Sequence, residues 1–127
     1  MPSKLAQRIE NDGKLKMTKT YSILGLNYEL PNVAYFYDSL SLLDFDKEPG
    51  DDVWGLDEDL LQVLFSDAEE TTVDVGWYPS FDEAGEFVVM VIKNRDWDSP
   101  LLRVSAGWDR AELSDKIAEA LDIWRPR

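Results

Sequence analysis

Residues 71–105 contain three consecutive segments with the pattern of β-strands, separated by short polar stretches. Residues 71–78 alternate apolar with polar or small side chains, residues 86–93 are nearly all apolar, and residues 101–105 form a third short run. Alternation is typical of a strand with one buried face, whereas a continuous apolar run is typical of a strand buried on both faces. Because the connections are short, we expect antiparallel pairing, with residues 86–93 central in the sheet.

An amphipathic helix follows these strands. Asp109 is a candidate N-cap, and Glu112 stands three residues later, which is an acidic variant of the capping box. Apolar residues then recur on one helical face, at Leu113, Ile117, Leu121 and Trp124. The sequence therefore predicts an α+β fold: an antiparallel sheet of three to five strands with helices packed on one face.

The N-terminal half has weaker patterns. Residues 20–30 alternate in the manner of one half-buried strand, and residues 32–43 have helical spacing, with a second strand as the alternative. Residues 44–52 contain Glu-Pro-Gly-Asp-Asp, which indicates an exposed loop. Residues 56–65 have apolar side chains at the spacing of a short amphipathic helix.

The chain length of 127 residues fits one domain. We expect residues 17–127 to form a single α+β domain. Residues 1–16 are expected to be a flexible or short helical N-terminal extension, with the helix over residues 3–12. The N-terminus lacks the apolar core of a secretory signal, and no apolar run is long enough to span a membrane, so we expect a cytoplasmic protein.

The charge is strongly acidic and unevenly distributed. The chain has 26 acidic and 13 basic residues, a net charge of −13. Residues 44–70, hereafter the acidic segment, hold eleven acids and one base, which gives −10. This field disfavours nucleic acid and anionic membranes as partners and favours a basic protein or a cation. An alternative interpretation is that the acidity only confers solubility.

The chain has no histidine and no cysteine. This composition excludes Ser-His-Asp and Cys-His catalytic arrangements as well as thiolate and imidazole metal sites. The seven glycines form no phosphate-binding loop. A carboxylate pair for glycoside hydrolysis is chemically possible, but 26 acids give that proposal no specific content. We therefore predict no enzymatic activity, no catalytic residues and no cofactor.

One stretch of the acidic segment has part of the pattern of a calcium-binding loop. Counted from Asp44, the turn position that requires glycine is Pro49, and the position that requires a bidentate glutamate is Gly55. Both essential positions fail, so no specific metal site is predicted.

The five tryptophans divide by context. Trp77 and Trp124 fall on predicted core faces, whereas Trp54 and Trp97 lie among acidic residues in predicted loops. An aromatic side chain surrounded by acids provides buried area and cation–π contacts for a basic partner. The alternative is that Trp54 and Trp97 cover the ends of the core.

Three stretches carry a resemblance to a known group of proteins. They are Val73-Asp-Val-Gly-Trp-Tyr-Pro-Ser-Phe-Asp82, Gly85-Glu-Phe-Val-Val-Met-Val-Ile92 and Trp97-Asp-Ser-Pro-Leu101, followed by the closing helix. Over residues 71–124 the pattern resembles small bacterial immunity proteins of contact-dependent growth inhibition and related polymorphic toxin systems. The resemblance implies a cytoplasmic inhibitor that binds a toxin domain, often a basic nuclease.

Charge and resemblance together give the leading hypothesis, an acidic immunity protein that neutralises a basic toxin by direct binding. The candidate contacts are Trp54 as an anchor and six carboxylates, Asp51, Asp52, Asp57, Asp59, Glu69 and Glu70. Two alternatives remain open: another anionic protein-binding module, such as a phage-encoded inhibitor or a DNA mimic, and a carboxylate-based cation-binding domain. The sequence leaves the oligomeric state open.

Overall fold

The computed structural model describes residues 7–9 and 15–124 of the chain. The described residues form eight strands, two 3-10 segments and one α-helix. In chain order they are β1 (Gln7–Ile9), β2 (Leu15–Ile23), β3 (Leu26–Pro31), β4 (Val33–Asp38), the 3-10 segments Leu40–Leu42 and Pro49–Gly55, β5 (Leu61–Phe65), β6 (Thr72–Tyr78), β7 (Glu86–Ile92), β8 (Leu102–Ala106) and α1 (Arg110–Trp124).

The strands form two antiparallel sheets. One has the order β1-β2-β3, and the other has five strands in the order β4-β5-β6-β7-β8. The three strands predicted between residues 71 and 105 are confirmed as β6, β7 and β8. β7 lies between two partners and is buried on both faces, as its continuous apolar run predicts. The α+β class with a sheet of up to five strands is therefore confirmed.

The predicted C-terminal helix is also confirmed, and it packs on β7 and β8. The Glu112 amide donates to Asp109 Oδ1 at 2.9 Å, as expected for the cap, while Glu112 Oε1 accepts from the Gly107 amide at 3.0 Å. Leu113, Ile117 and Leu121 are buried in the core. The Trp124 side chain lies outside what the structure describes.

The N-terminal predictions need correction. The single strand predicted over residues 20–30 is a hairpin of β2 and β3, in which Ile23 pairs with Leu26. Leu24 and Gly25 form the two-residue turn with φ of 53° and 84°, as a type I′ turn requires. The helix over residues 3–12 is wrong at Gln7–Ile9, which form a strand against Leu15–Met17. The rest of residues 3–12, and the alternative of a flexible extension there, fall outside the described residues.

The two helices predicted in the centre of the chain are wrong. Within residues 32–43, Val33–Asp38 is β4, the alternative that the aromatic content favoured, followed by a 3-10 turn. Within residues 56–65, Leu61–Phe65 is β5, which pairs with β4 on one side and β6 on the other. Local helical spacing is a weak preference, and the hydrogen bonds available between two neighbouring strands override it.

The five-stranded sheet has two distinct faces. Its inner face packs against α1 and the β2–β3 hairpin and contributes Val63, Val75, Trp77 and Val89 to the main core. On the opposite face lie the alternate residues of the same strands, among them a smaller apolar cluster of Val88, Met90 and Ile92, against which Tyr78 packs. This second face, hereafter the outer face, carries part of the candidate site.

Candidate functional site

Within the acidic segment, Pro49–Gly55 is a short surface 3-10 helix that is kinked at Asp52. Pro49 lies at its start, and a capping box joins Glu48 and Asp51, in which Asp51 Oδ2 accepts from the Glu48 amide at 3.0 Å. No residue of Pro49–Gly55 is buried. Asp51, Asp52 and Trp54 are thus presented to solvent by a folded segment, where the sequence predicted an exposed loop.

Aromatic packing anchors the chain immediately before this helix to the core. The Phe45 ring stacks on Trp108 with centroids 4.8 Å apart, and Trp108 Nε1 donates to the Lys47 carbonyl at 2.7 Å. Trp108 in turn meets the buried Trp77 edge-on at 5.7 Å. The acidic segment is therefore attached to the core by rings as well as by backbone, which lowers the entropy cost of holding its charges in place.

Trp54 projects into solvent beside a second aromatic residue. Its side chain is 78% exposed, and its ring lies 5.6 Å from that of Phe81, which is 45% exposed. The Phe81 amide donates to the Leu56 carbonyl at 2.7 Å, and its φ of 60° lies in the left-handed region, which costs a bulky residue about 1–2 kcal/mol. The fold therefore keeps this ring at the surface in spite of a backbone cost.

An open groove of about 490 Å³ lies beside the two rings. We call it the aromatic groove, and its lining consists of Gly50, Val53, Pro79, Ser80, Phe81, Asp82 and Glu83. Sequence reasoning found Trp54 but missed Phe81, which falls in the polar connection after β6. A bulky aromatic residue within a polar turn was the available signal.

Asp57 and Asp59 belong to a different groove of about 370 Å³, on the outer face. We call it the tyrosine groove, because Tyr35 and Tyr37 of β4 line it together with the two aspartates and Gln62 of β5. The tyrosines were missed because the predicted helix over residues 32–43 placed Tyr37 with the apolar stripe. In a strand, Tyr35 and Tyr37 share the face opposite to Phe36, which packs against the core.

Glu69 and Glu70 lie at the other end of β5, in the turn to β6. The five residues of β5 separate this turn from Asp59 by roughly 15 Å. Glu69 is paired with Lys93 Nζ, and Glu70 Oε1 lies 3.4 Å from Arg95 Nε. The structure therefore does not gather the six predicted carboxylates into one cluster, and these two already have cationic partners. Trp97 belongs to the loop that carries Arg95 and is 45% exposed.

A buried carboxyl lies next to the tyrosine groove. Asp74 of β6 is 3% exposed, and its Oδ1 accepts from Gln62 Nε2 at 3.0 Å. Burial raises the pKa of Asp74 to about 6; the hydrogen bond from Gln62 opposes this shift, and the charges of Asp59 and Glu58 add to it. The carboxylates beside the groove therefore contribute to the raised pKa of Asp74 within the sheet.

No cation in the described part of the chain pairs with the charges in the first part of the acidic segment. Among the described residues, the ion pairs are those of Glu69 and Glu70. The carboxylates of Asp51, Asp52, Asp57 and Asp59 take part in none. Within the same part of the chain, no group of three or more carboxylates is close enough together to hold a metal ion. Among these residues, the carboxylates of residues 51–59 are therefore without an ion pair and are not gathered into a group of three or more.

Comparison of the chain with protein-family models, with curated proteins and with solved structures finds no match. No helix in the described part of the chain has both the length and the apolar character needed to cross a membrane.

Proposed function

We propose that this protein is an inhibitor that binds a basic protein through the first part of its acidic segment. The observation that carries the proposal is the exposed Trp54–Phe81 pair, which stands beside a groove and is flanked by carboxylates that pair with no cation of residues 18–123. The resemblance to immunity proteins makes a basic toxin domain, in particular a nuclease, the proposed target, and the cytoplasm the proposed place of action.

The arrangement has the composition of a protein-binding hot spot. Trp is the residue most enriched at the centres of interfaces, where it supplies a large rigid area, and charged residues at the rim steer the partner into place. A cleft that binds nucleic acid is lined with Lys and Arg, so Asp51 and Asp52 would meet opposite charge there. Desolvation of the two rings would supply affinity. The carboxylates would increase the rate of association and favour basic partners over other proteins.

A surface built only for solubility has no use for this pair. Two adjacent exposed rings reduce solubility, and the left-handed conformation of Phe81 reduces stability. Exposed rings that lower solubility and a strained backbone that lowers stability are expected where binding requires them. The charge of the segment supports the same interpretation, because within the described part of the chain the carboxylates beside these rings form no ion pair, whereas Glu69 and Glu70 do.

The test uses the protein encoded directly upstream of this gene, because the proposed function places the toxin gene there. Trp54→Ala and Phe81→Ala are compared with Trp97→Ala, which removes a tryptophan as exposed as Phe81 but at the other end of β5, near the ion-paired Glu69 and Glu70. We expect each of the first two variants to weaken binding by about 2–4 kcal/mol in calorimetry, and Trp97→Ala by less than about 0.5 kcal/mol. Growth protection by co-expression should fall in the same order.

Two outcomes would contradict the proposal. One is full protection and unchanged affinity in the Trp54→Ala/Phe81→Ala double variant, verified as folded by circular dichroism. The other is an affinity for the basic domain that does not fall between low and physiological salt, because an acidic surface that recognises a basic cleft loses affinity as salt screens the charges.

A further inference from the structure

The tyrosine groove has features that the proposed hot spot does not use. It opens on the outer face at the edge strand β4, and the side chains of Tyr35 and Tyr37 are 51% and 41% exposed. Tyr37 is the cross-strand neighbour of Gln62, and Gln62 is the neighbour of Asp74. The row Tyr37–Gln62–Asp74 thus runs from an exposed ring at the edge to a buried carboxyl in the sheet.

The acidic wall of the groove is held by backbone hydrogen bonds. The Asp59 amide donates to Asp57 Oδ1 at 2.9 Å, the Trp77 amide donates to the Asp57 carbonyl at 2.9 Å, and the Leu60 amide donates to the Val75 carbonyl at 3.0 Å. Gly76 allows the close approach, since a Cβ there would lie 2.4 Å from the Glu58 carbonyl oxygen. A wall fixed in this way requires little ordering when a ligand binds.

The groove combines negative charge with aromatic surface. Asp57 and Asp59 take part in no ion pair among the described residues, and the nearby Glu58 and Asp74 add negative potential. The faces of tyrosine rings also attract cations. The described residues contain no group of three or more potential metal ligands, whereas carboxylates beside exposed ring faces suit an organic cation with a flat face.

We propose that the tyrosine groove receives an arginine side chain of the basic partner. The planar guanidinium stacks on tyrosine and donates hydrogen bonds to a carboxylate in a fixed fork, a combination that the compact ammonium of lysine does not match. The volume of about 370 Å³ accommodates one such side chain. This inference rests on the proposed function for the identity of the partner, but the preference of the groove for guanidinium does not depend on it.

The groove is joined to the proposed hot spot by a short piece of chain. Asp57 follows Trp54 by three residues, so their Cα atoms are at most about 11 Å apart. The Leu56 carbonyl bonds to Phe81, and the Asp57 carbonyl bonds to Trp77. One partner can therefore contact the Trp54–Phe81 pair and also place an arginine in the tyrosine groove.

The experiment titrates the isolated protein with N-acetyl-L-arginine amide and follows tyrosine ring and backbone amide resonances by NMR. We expect saturable shifts with a millimolar dissociation constant, confined to Tyr35, Tyr37, Gln62 and residues 57–59. N-acetyl-L-lysine amide should bind at least several-fold more weakly. Equal binding of the two amides, shifts spread over the whole acidic surface, or no saturation would overturn the proposal.

Matched variants make the assignment specific. Asp59→Asn and Tyr37→Leu should each weaken binding of the arginine amide by roughly tenfold, while Glu83→Gln, which removes one charge at the aromatic groove, should leave it unchanged. An equal loss in Glu83→Gln would show attraction by net charge alone and would overturn the proposal. The titration uses no partner protein. A negative titration therefore does not affect the binding test with Trp54→Ala and Phe81→Ala, and a negative binding test does not affect the interpretation of the titration.

Discussion

The two ends of the acidic segment have similar composition and opposite surroundings. At residues 51–59 the carboxylates pair with no cation that the structure describes and stand beside exposed aromatic rings, whereas Glu69 and Glu70 are paired with Lys93 and Arg95. The pairing cations come from the loop after β7, which the five-stranded sheet brings next to the β5–β6 turn. Local charge density therefore does not distinguish the two ends; they differ in their ion pairs and in the exposed apolar surface beside them.

The largest expected effect concerns how residues 57–60 are held on the sheet. Gly76→Ala should destabilise the protein by about 3 kcal/mol or more, because its Cβ would overlap the Glu58 backbone carbonyl. Gly107→Ala is the control, since its nearest new contact is Glu112 Oε1 at an ordinary 3.5 Å. Denaturant unfolding measures both. Similar stabilities for the two variants would mean that the close approach of Gly76 to the Glu58 carbonyl does not hold residues 57–60 on the sheet.

Asp74 tests how strongly burial and the neighbouring carboxylates disfavour a charge on the outer face of the sheet. Its pKa is about 6 when folded and 3.8 when unfolded, so the charged form costs the folded state about 3 kcal/mol at neutral pH. As pH falls from 7 to 4, the folded state takes up this proton first, and stability rises.

Asp74→Asn removes this charge and keeps an oxygen that can accept from Gln62. We expect the variant to be more stable than the wild type by up to about 3 kcal/mol at pH 7.5, with the difference shrinking toward pH 5. Unfolding followed across this pH range checks it. A difference that does not change with pH would contradict the assignment to Asp74.

The prediction with the smallest expected effect compares residues 51–52 of the acidic segment with residues 69–70. Asp51→Asn/Asp52→Asn and Glu69→Gln/Glu70→Gln remove the same number of charges, but among the described residues the first pair of acids has no cationic partner and the second pair has Lys93 and Arg95. We expect the first double variant to slow association with the basic partner by about three- to tenfold at low salt, and the second by less than about twofold. Stopped-flow measurement over a salt series decides it, and equal slowing would mean that net charge alone steers the partner.

The sequence predicted the C-terminal half of the fold better than the N-terminal half. Each of three elements has a pattern with a single interpretation: β6 alternates, β7 is a continuous apolar run, and α1 has a cap followed by an apolar stripe. Residues 56–65 fit two patterns, because helical spacing and the alternation of Leu61, Val63 and Phe65 coexist there. The choice depends on pairing with β4 and β6, which no local window contains. Tyr35 and Tyr37 were missed for the same reason, since their common face appears only when β4 is a strand.

By itself the sequence determined the quantities that depend only on composition and local period: the acidity, its concentration in residues 44–70, the absence of histidine and cysteine, and the order of strands and helix after residue 71. The tertiary structure decided which acids are neutralised and which aromatic rings remain exposed. Both depend on contacts between residues distant in the chain, such as Glu69 with Lys93 and the Leu56 carbonyl with Phe81. Strand pairing creates these contacts, and the free energy that selects a pairing comes from the whole sheet and its core.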